Sequence, residues 1–156
     1  MYAQSNNSWD IEIYNHQRQL VLVGEVKCLL NTSPDWAVKF RRNILAHGIF
    51  PIAPYLMIIF PDKICLWTNE NGVPEEREPD YIVDAYPIFQ PDFEKAGTSA
   101  RKISDGSFEL IVDSWLANIM YLSEPSQASD ESQKWLVDSG LYNTIKGGRF
   151  NDEAIA

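Results

Sequence analysis

Three ionisable residues near the start of the chain have the types and spacing for metal-dependent chemistry. Asp10 precedes a short predicted strand, and Glu25 and Lys27 lie inside the apolar run LVLVGEVKCLL at positions 20–30. A carboxylate and an ammonium are costly in a buried strand unless they are paired, hydrated or bound to a metal. Because side chains alternate between the faces of a strand, Glu25 and Lys27 are expected on one face. These residues define the candidate site.

The register of a predicted hairpin decides whether Asp10 joins that face. Residues 11–14 and 20–30 are predicted strands, and the polar stretch 15–19 is the turn between them. Pairing 10 with 25 also pairs 12 with 23 and 14 with 21, and directly opposite residues in an antiparallel pair share a face roughly 5 Å apart. A slip of one residue would move Asp10 to the other face. We expect Asp10, Glu25 and Lys27 to converge.

Two convergent carboxylates supply the oxygen ligands that suit Mg²⁺, with Mn²⁺ as a substitute. The backbone carbonyl of Val26 lies between the two strand residues and could be a further ligand. A neighbouring lysine can orient a metal-bound water and offset the charge on a scissile phosphate. Glu12 is either a substitute ligand or an exposed residue. Gly24 lets another backbone or a ligand approach closely.

The elements after the hairpin are also marked in the sequence. Ser33 as N-cap and Pro34 at the first position predict a helix over 34–46, with an apolar stripe along it. Strands are predicted over 55–60 and 64–67, and a solvated loop over 69–79. Apolar residues at helical spacing predict a helix over 108–122, followed by a polar linker and a closing helical segment. The stripe of the first helix comprises Trp36, Ala37, Phe40 and Ile44.

The motif and the order of these elements are similar to a known superfamily. Asp10, a hairpin, and then Glu25-Val26-Lys27 on the second strand resemble the PD-(D/E)XK motif of restriction-endonuclease-like nucleases, with Trp9 where proline is usual. Residues 57–67 are also similar to nuclease-like regions of type I restriction enzymes. The likeness covers residues 9 to about 68.

The resemblance implies a fold and a domain organisation. The expected fold is α/β and restriction-endonuclease-like, with a central mixed sheet flanked by helices. We expect one domain over 1–156, with a motif-bearing core at 9–68 and a helical part at 105–148. The superfamily has a helix and a strand before the aspartate, whereas nine residues precede it here. The sheet is therefore expected to be truncated at its N-terminal side, with an edge that another copy or a partner subunit covers.

The resemblance also implies an activity. Asp10 and Glu25 would bind Mg²⁺, and Lys27 would be the catalytic lysine in hydrolysis of DNA phosphodiester bonds. Two further functions remain open: a non-catalytic interaction module that acts through the acidic second half of the chain, and an accessory subunit.

The charge distribution bears on DNA binding. The net charge is −9, yet residues 1–68 contain six basic and five acidic residues. An acidic chain is disfavoured for general adhesion to nucleic acid, because phosphate binding depends on Lys and Arg. DNA contacts are therefore expected from the first half, where Lys39 and Arg42 lie near each other on the predicted helix. A solvated helix face explains these two residues equally well.

Composition indicates a soluble, cytoplasmic protein without a membrane segment. Apolar residues make up 45% of the chain, and no apolar run reaches the ~20 residues of a membrane span. The first residues lack the features of a secretion signal. Cys28 and Cys65 lie in apolar segments and are expected to be buried, reduced thiols.

Overall fold

The computed structural model describes residues 8–47, 49–122 and 131–150 of an α/β chain. Its strands form one six-stranded mixed sheet with the order β5-β4-β3-β2-β1-β6. The strands are β1 (Ile11–Tyr14), β2 (Leu20–Val26), β3 (Tyr55–Ile59), β4 (Lys63–Trp67), β5 (Tyr81–Asp84) and β6 (Arg149–Phe150). The helices are α1 (Pro34–Ala46), α2 (Tyr86–Lys95), α3 (Asp105–Tyr121), α4 (Lys134–Asp138) and α5 (Leu141–Ile145), with a short 3-10 helix at Glu131–Gln133.

The sheet is buried on both faces, which explains the nearly continuous apolar character of its central strands. In β3, Leu56 and Ile58 pack on the side of α1, whereas Met57 and Ile59 pack on the side of the other helices. The larger core, on that second side, includes the aromatic residues of α2 and α3. A central mixed sheet flanked by helices is therefore present.

Helix α1 has the predicted bounds. Ser33 is its N-cap residue and Pro34 follows at the first helical position, although the Ser33 side chain makes no capping hydrogen bond. Its most buried face includes Ala37, Arg41 and Leu45, whereas the predicted stripe residues other than Ala37 are only half-buried. The face is rotated because a charged residue, Arg41, is fully buried there. Gly48, the predicted helix stop, lies outside the described residues.

The second strand is shorter than predicted. β2 ends at Val26 rather than continuing to residue 30, and Asn31 has a positive φ of 57°. β3 ends one residue before its predicted end, and β4 begins one residue before its predicted start. Helix α1 then joins β2 to β3, which pair in parallel.

Three elements were missed by the sequence patterns. β5 has alternating half-buried and exposed residues, and β6 has only two residues. α2 contains Pro91 in its interior, which normally argues against a helix. Phe89 and Phe93 bury its inner face and stabilise it against that cost.

The outer edge of β1 is partly covered by the chain itself. β6 pairs with it antiparallel, aligning Ile13 with Phe150 and Tyr14 with Arg149. This pairing protects two residues of the edge for which the sequence predicted a partner subunit. Within the three described ranges, no helix has both the length and the apolar character needed to cross a membrane.

Candidate functional site

The hairpin register brings Asp10 and Glu25 together. β1 and β2 pair Glu12 with Val23 as predicted, but an irregularity pairs Tyr14 with Leu20 instead of residue 21. The irregularity lies at the turn end, so the register at the site is kept. Asp10 lies just before β1, where it faces Glu25 across the two strands.

Two reciprocal hydrogen bonds fix this arrangement. The backbone N–H of Asp10 donates to Glu25 Oε2 at 3.0 Å, and the backbone N–H of Val26 donates to Asp10 Oδ2 at 2.9 Å. Each carboxylate thus uses one oxygen to bind the other strand. Asp10 Oδ1 and Glu25 Oε1 do not take part in these bonds.

Lys27 completes the predicted group. Its Nζ lies 3.7 Å from Glu25 Oε1 and 4.7 Å from the centre of the Phe40 ring on α1. The ring face attracts the ammonium and fixes its position. The Lys27 side chain remains 31% exposed, against 11% for Glu25, so the ammonium can reach a ligand from solvent.

Glu25 is in an unusual electrostatic setting. Burial raises the pKa of its carboxyl above the ordinary value, and the negative charge of Asp10 raises it further. The Asp10 N–H and the Lys27 ammonium oppose that rise. Burial is the largest of these effects and disfavours the ionised carboxylate, whereas a bound cation would favour it.

A cleft opens beside these residues and has a wall of acidic side chains from α3. Its volume is about 380 Å³, and its lining includes Asp10, Val26 and Lys27 on one side and Asp105 and Glu109 on the other. Burial and then the charge of Asp10 raise the pKa of Glu109, with Lys27 opposing the rise. The carboxylates of α3 therefore lie within electrostatic range of the predicted site.

Asp113 extends this row along the helix. Burial and the charge of Asp10 raise the pKa of its carboxyl too. Asp105, Glu109 and Asp113 are spaced four residues apart, which places them on one side of a helix. That spacing is visible in the sequence, but the sequence does not show that this side of α3 faces Asp10.

The other residues predicted at the site have mixed outcomes. Val26 lines the cleft, as expected of a neighbour of the two carboxylates. Glu12 is half-buried, and its Oε2 accepts a hydrogen bond from the Trp9 N–H at 3.2 Å. Gly24 permits the approach of a backbone rather than a ligand, since a Cβ there would lie 2.9 Å from the Met57 carbonyl oxygen.

The two cations predicted to contact DNA are already paired. Lys39 Nζ lies 2.8 Å from Asp35 Oδ2 on the same helix. Arg42 forms an ion pair with Glu76. Both side chains are partly exposed, so these pairs hold them weakly.

The loop at 69–79 is not simply solvated, as the sequence predicted. Glu70 is buried, and both of its carboxylate oxygens accept hydrogen bonds from Arg41, at 2.9 Å and 2.6 Å. A buried arginine requires such a partner. The loop is thereby fixed against α1, on the side of the sheet opposite α3.

The possible metal ligands are few. Over residues 8–47, 49–122 and 131–150, no group of three or more His, Cys, Asp or Glu side chains is arranged to bind a metal ion. A cation at Asp10 and Glu25 would therefore take most of its ligands from water. Mg²⁺ commonly binds in this way, through one or two carboxylates and retained waters.

Comparisons with known proteins identify no relative. No protein-family model matches the chain, and no curated protein or solved structure shows significant similarity to it. The function must therefore be inferred from the geometry of the site.

Proposed function

We propose that this chain is a Mg²⁺-dependent nuclease with a restriction-endonuclease-like fold that hydrolyses phosphodiester bonds of DNA. The observation that supports this most directly is the convergence of Asp10, Glu25 and Lys27, of which Asp10 and Lys27 line an open cleft. Their spacing is that of the PD-(D/E)XK motif: Asp10 directly precedes β1, Glu25 lies on β2 and Lys27 directly follows β2.

The topology agrees with the proposed fold. The aspartate lies before one strand of an antiparallel hairpin, and the glutamate and lysine lie at the end of the other. Helix α1 then leads to β3, which lies parallel to β2 in the centre of the sheet. This is the order of elements that the resemblance implies around the motif.

The residues present fit a divalent cation. Asp10 Oδ1 and Glu25 Oε1 are carboxylate oxygens, the donor type that Mg²⁺ prefers. The second oxygen of each carboxylate is fixed by a backbone N–H, which orients the group. When bound, the cation would polarise the scissile phosphate and lower the pKa of a bound water.

Lys27 has a separate role. Its ammonium would offset negative charge that develops on the phosphate as the bond is cleaved. The Phe40 ring and Glu25 hold Nζ in place, so little ordering is needed at the moment of reaction. In the absence of DNA the same ammonium balances part of the charge of Glu25.

The decisive test is DNA cleavage by a variant that removes only the ammonium. Wild-type protein is incubated with plasmid and linear duplex DNA in Mg²⁺ or Mn²⁺, with Lys27→Met and a control, Lys146→Met. Lys146 is exposed and lies near the β6 end of the chain. Removal of one charge-stabilising donor is expected to lower the rate about 10²- to 10³-fold, while the control cuts like wild type. Cleavage that survives Lys27→Met unchanged would refute the role of Lys27.

The alternative is a non-catalytic interaction module, and one observation favours it. The reciprocal hydrogen bonds tie the two strands together without any metal, and the Lys27 ammonium lies beside the Glu25 carboxylate. An interaction module predicts no cleavage in either metal, and a stable complex with a partner protein in a pull-down from the native host. Metal-dependent cutting that is lost in Lys27→Met excludes it.

A further inference from the structure

Three exposed cations lie at the end of α2 and after it: Lys95 is the last residue of α2, and Arg101 and Lys102 precede α3. Lys95, Arg101 and Lys102 are all exposed, and residues 95–104 contain no acidic side chain. In the part of the chain that the structure describes, none of the three makes an ion pair. They contrast with Lys39 and Arg42, whose charges are balanced by carboxylates. We call Lys95, Arg101 and Lys102 the basic loop.

The backbone of the basic loop is ordered by its own hydrogen bonds. At the end of α2, the N–H of Thr98 bonds the Phe93 carbonyl and the N–H of Gly97 bonds that of Glu94. Gly97 has a positive φ of 69°, so these bonds form a Schellman motif. The N–H groups of Lys102 and Ile103 then both bond the Ser99 carbonyl. Such a loop presents its cations without a large ordering cost.

The chain that follows Lys102 reaches the cleft at Ile103. The Cys28 thiol donates to the carbonyl of Ile103 at 3.5 Å, and Cys28 directly follows Lys27. Asp105, in the cleft wall, is three residues after Lys102. Three residues of chain span at most about 11 Å. The backbone of Lys102 therefore lies within about 11 Å of Asp105 in the cleft wall.

The acidic residues that line the cleft would repel the phosphates of a bound DNA duplex. Asp10, Asp105 and Glu109 line the cleft, and Lys27 is the basic residue in its lining. Duplex DNA carries one negative charge per ~1.7 Å of axis, so a duplex with one phosphate at Lys27 brings several others near the acidic wall. Unpaired cations beside the wall would offset this repulsion.

We propose that the basic loop binds the phosphate backbone of duplex DNA on the α3 side of the cleft. This proposal rests on the proposed nuclease function and names the surface that holds its substrate. It also places the DNA contacts after residue 68, rather than in the first half of the chain, where the sequence predicted them.

The test compares two triple variants that remove the same charge. Lys95→Gln, Arg101→Gln and Lys102→Gln are combined in one protein, and Arg18→Gln, Lys146→Gln and Arg149→Gln in the control. Arg18 lies in the β1–β2 turn and Arg149 pairs with Tyr14, so the control positions belong to the end of the sheet away from Asp10. Both sets are made in the Lys27→Met background. Binding of a fluorescent 30-base-pair duplex in Mg²⁺ is measured by anisotropy from 50 to 200 mM salt.

We expect the basic-loop variant to bind at least tenfold more weakly than the background protein at 100 mM salt. The slope of log K against log salt should fall by about 2 to 3, because each lost phosphate contact removes about 0.9. The control should change both values much less. Equal weakening in the two variants would show that only net charge matters and would overturn the proposal.

The outcomes separate this inference from the proposed function. If wild-type protein cuts DNA while the basic-loop variant binds duplex as tightly as the control, the loop proposal is wrong and the nuclease proposal stands. If the background protein binds no duplex at 50 mM salt and the wild type does not cut, both proposals are wrong. The double variant Arg101→Gln/Lys102→Gln repeats the comparison if the triple variant unfolds.

Discussion

The buried pair of Arg41 and Glu70 gives the sharpest stability prediction. The two side chains are 0% and 1% exposed and form two parallel hydrogen bonds, with Nη2–Oε2 at 2.6 Å. Removing one partner of such a pair leaves an uncompensated charge and costs about 3–5 kcal/mol. We therefore expect Glu70→Met to lower the free energy of unfolding by about that amount.

Arg41→Met should lower the free energy of unfolding less than Glu70→Met, because the residue that remains keeps different contacts in each variant. After Arg41→Met, Glu70 keeps the Gly72 N–H at 2.7 Å and Arg77 Nη1 at 3.8 Å. After Glu70→Met, Arg41 keeps the carbonyl of Glu75, at 2.9 Å, and the face of the Trp67 ring, whose centre is 6.0 Å from Cζ, but no carboxylate among these contacts. The double variant places two apolar side chains together, and replacing a buried pair in this way is often neutral or stabilising.

Urea unfolding followed by tryptophan fluorescence measures all four proteins. A domain of this kind is stable by about 5–15 kcal/mol, so a loss of 3–5 is measurable and leaves much of the protein folded. The expected order of stability is wild type and double variant highest, Arg41→Met next and Glu70→Met lowest. If Glu70→Met costs less than about 1 kcal/mol, or the double variant is the least stable, the loop is not fixed by a buried charge pair.

Three further predictions concern the site. Gly24→Ala should destabilise the protein by about 1–3 kcal/mol in urea unfolding, because its Cβ would lie 2.9 Å from the Met57 carbonyl oxygen; an unchanged midpoint contradicts this contact. Burial and then the charge of Asp10 raise the pKa of Glu109, so the cost of its ionised form appears only as the pH rises through that value. Glu109→Gln should therefore raise the Tm of metal-free protein at pH 7 by about 1–4 °C and have little effect at pH 4. The opposite order of pH effects would disprove this cost. Mg²⁺ at 100 times its dissociation constant should stabilise wild type by ~2.7 kcal/mol, whereas Asp10→Asn should gain little; an equal gain in thermal scans would place the cation elsewhere.

The local elements near the motif were predictable because their patterns are strong and short in range. A Ser-Pro start defines α1, and alternation with the Glu12–Val23 pairing defines the hairpin. The register between β1 and β2 brings Asp10 opposite Glu25. This is why Asp10, Glu25 and Lys27 could be placed together from the sequence.

The features that the sequence did not predict depend on contacts between residues far apart in the chain. Helix α2 depends on burial of Phe89 and Phe93 against α3, and that contact outweighs the local cost of Pro91. The Arg41–Glu70 pair joins positions 29 residues apart, so no local pattern identifies it. The acidic side of α3 has clear helical spacing, but only tertiary packing directs it towards Asp10.

Calorimetric titration with Mn²⁺ measures whether Asp10 and Glu25 bind a divalent cation, as we propose. Asp10→Asn and Glu25→Gln keep an oxygen that can accept the Val26 and Asp10 N–H bonds, so each variant removes charge while preserving the strand contacts. Asp84→Asn, on β5, is the matched control. We expect wild type and the control to bind one Mn²⁺ ion and both site variants to lose it. Equal Mn²⁺ binding by all four proteins would contradict this.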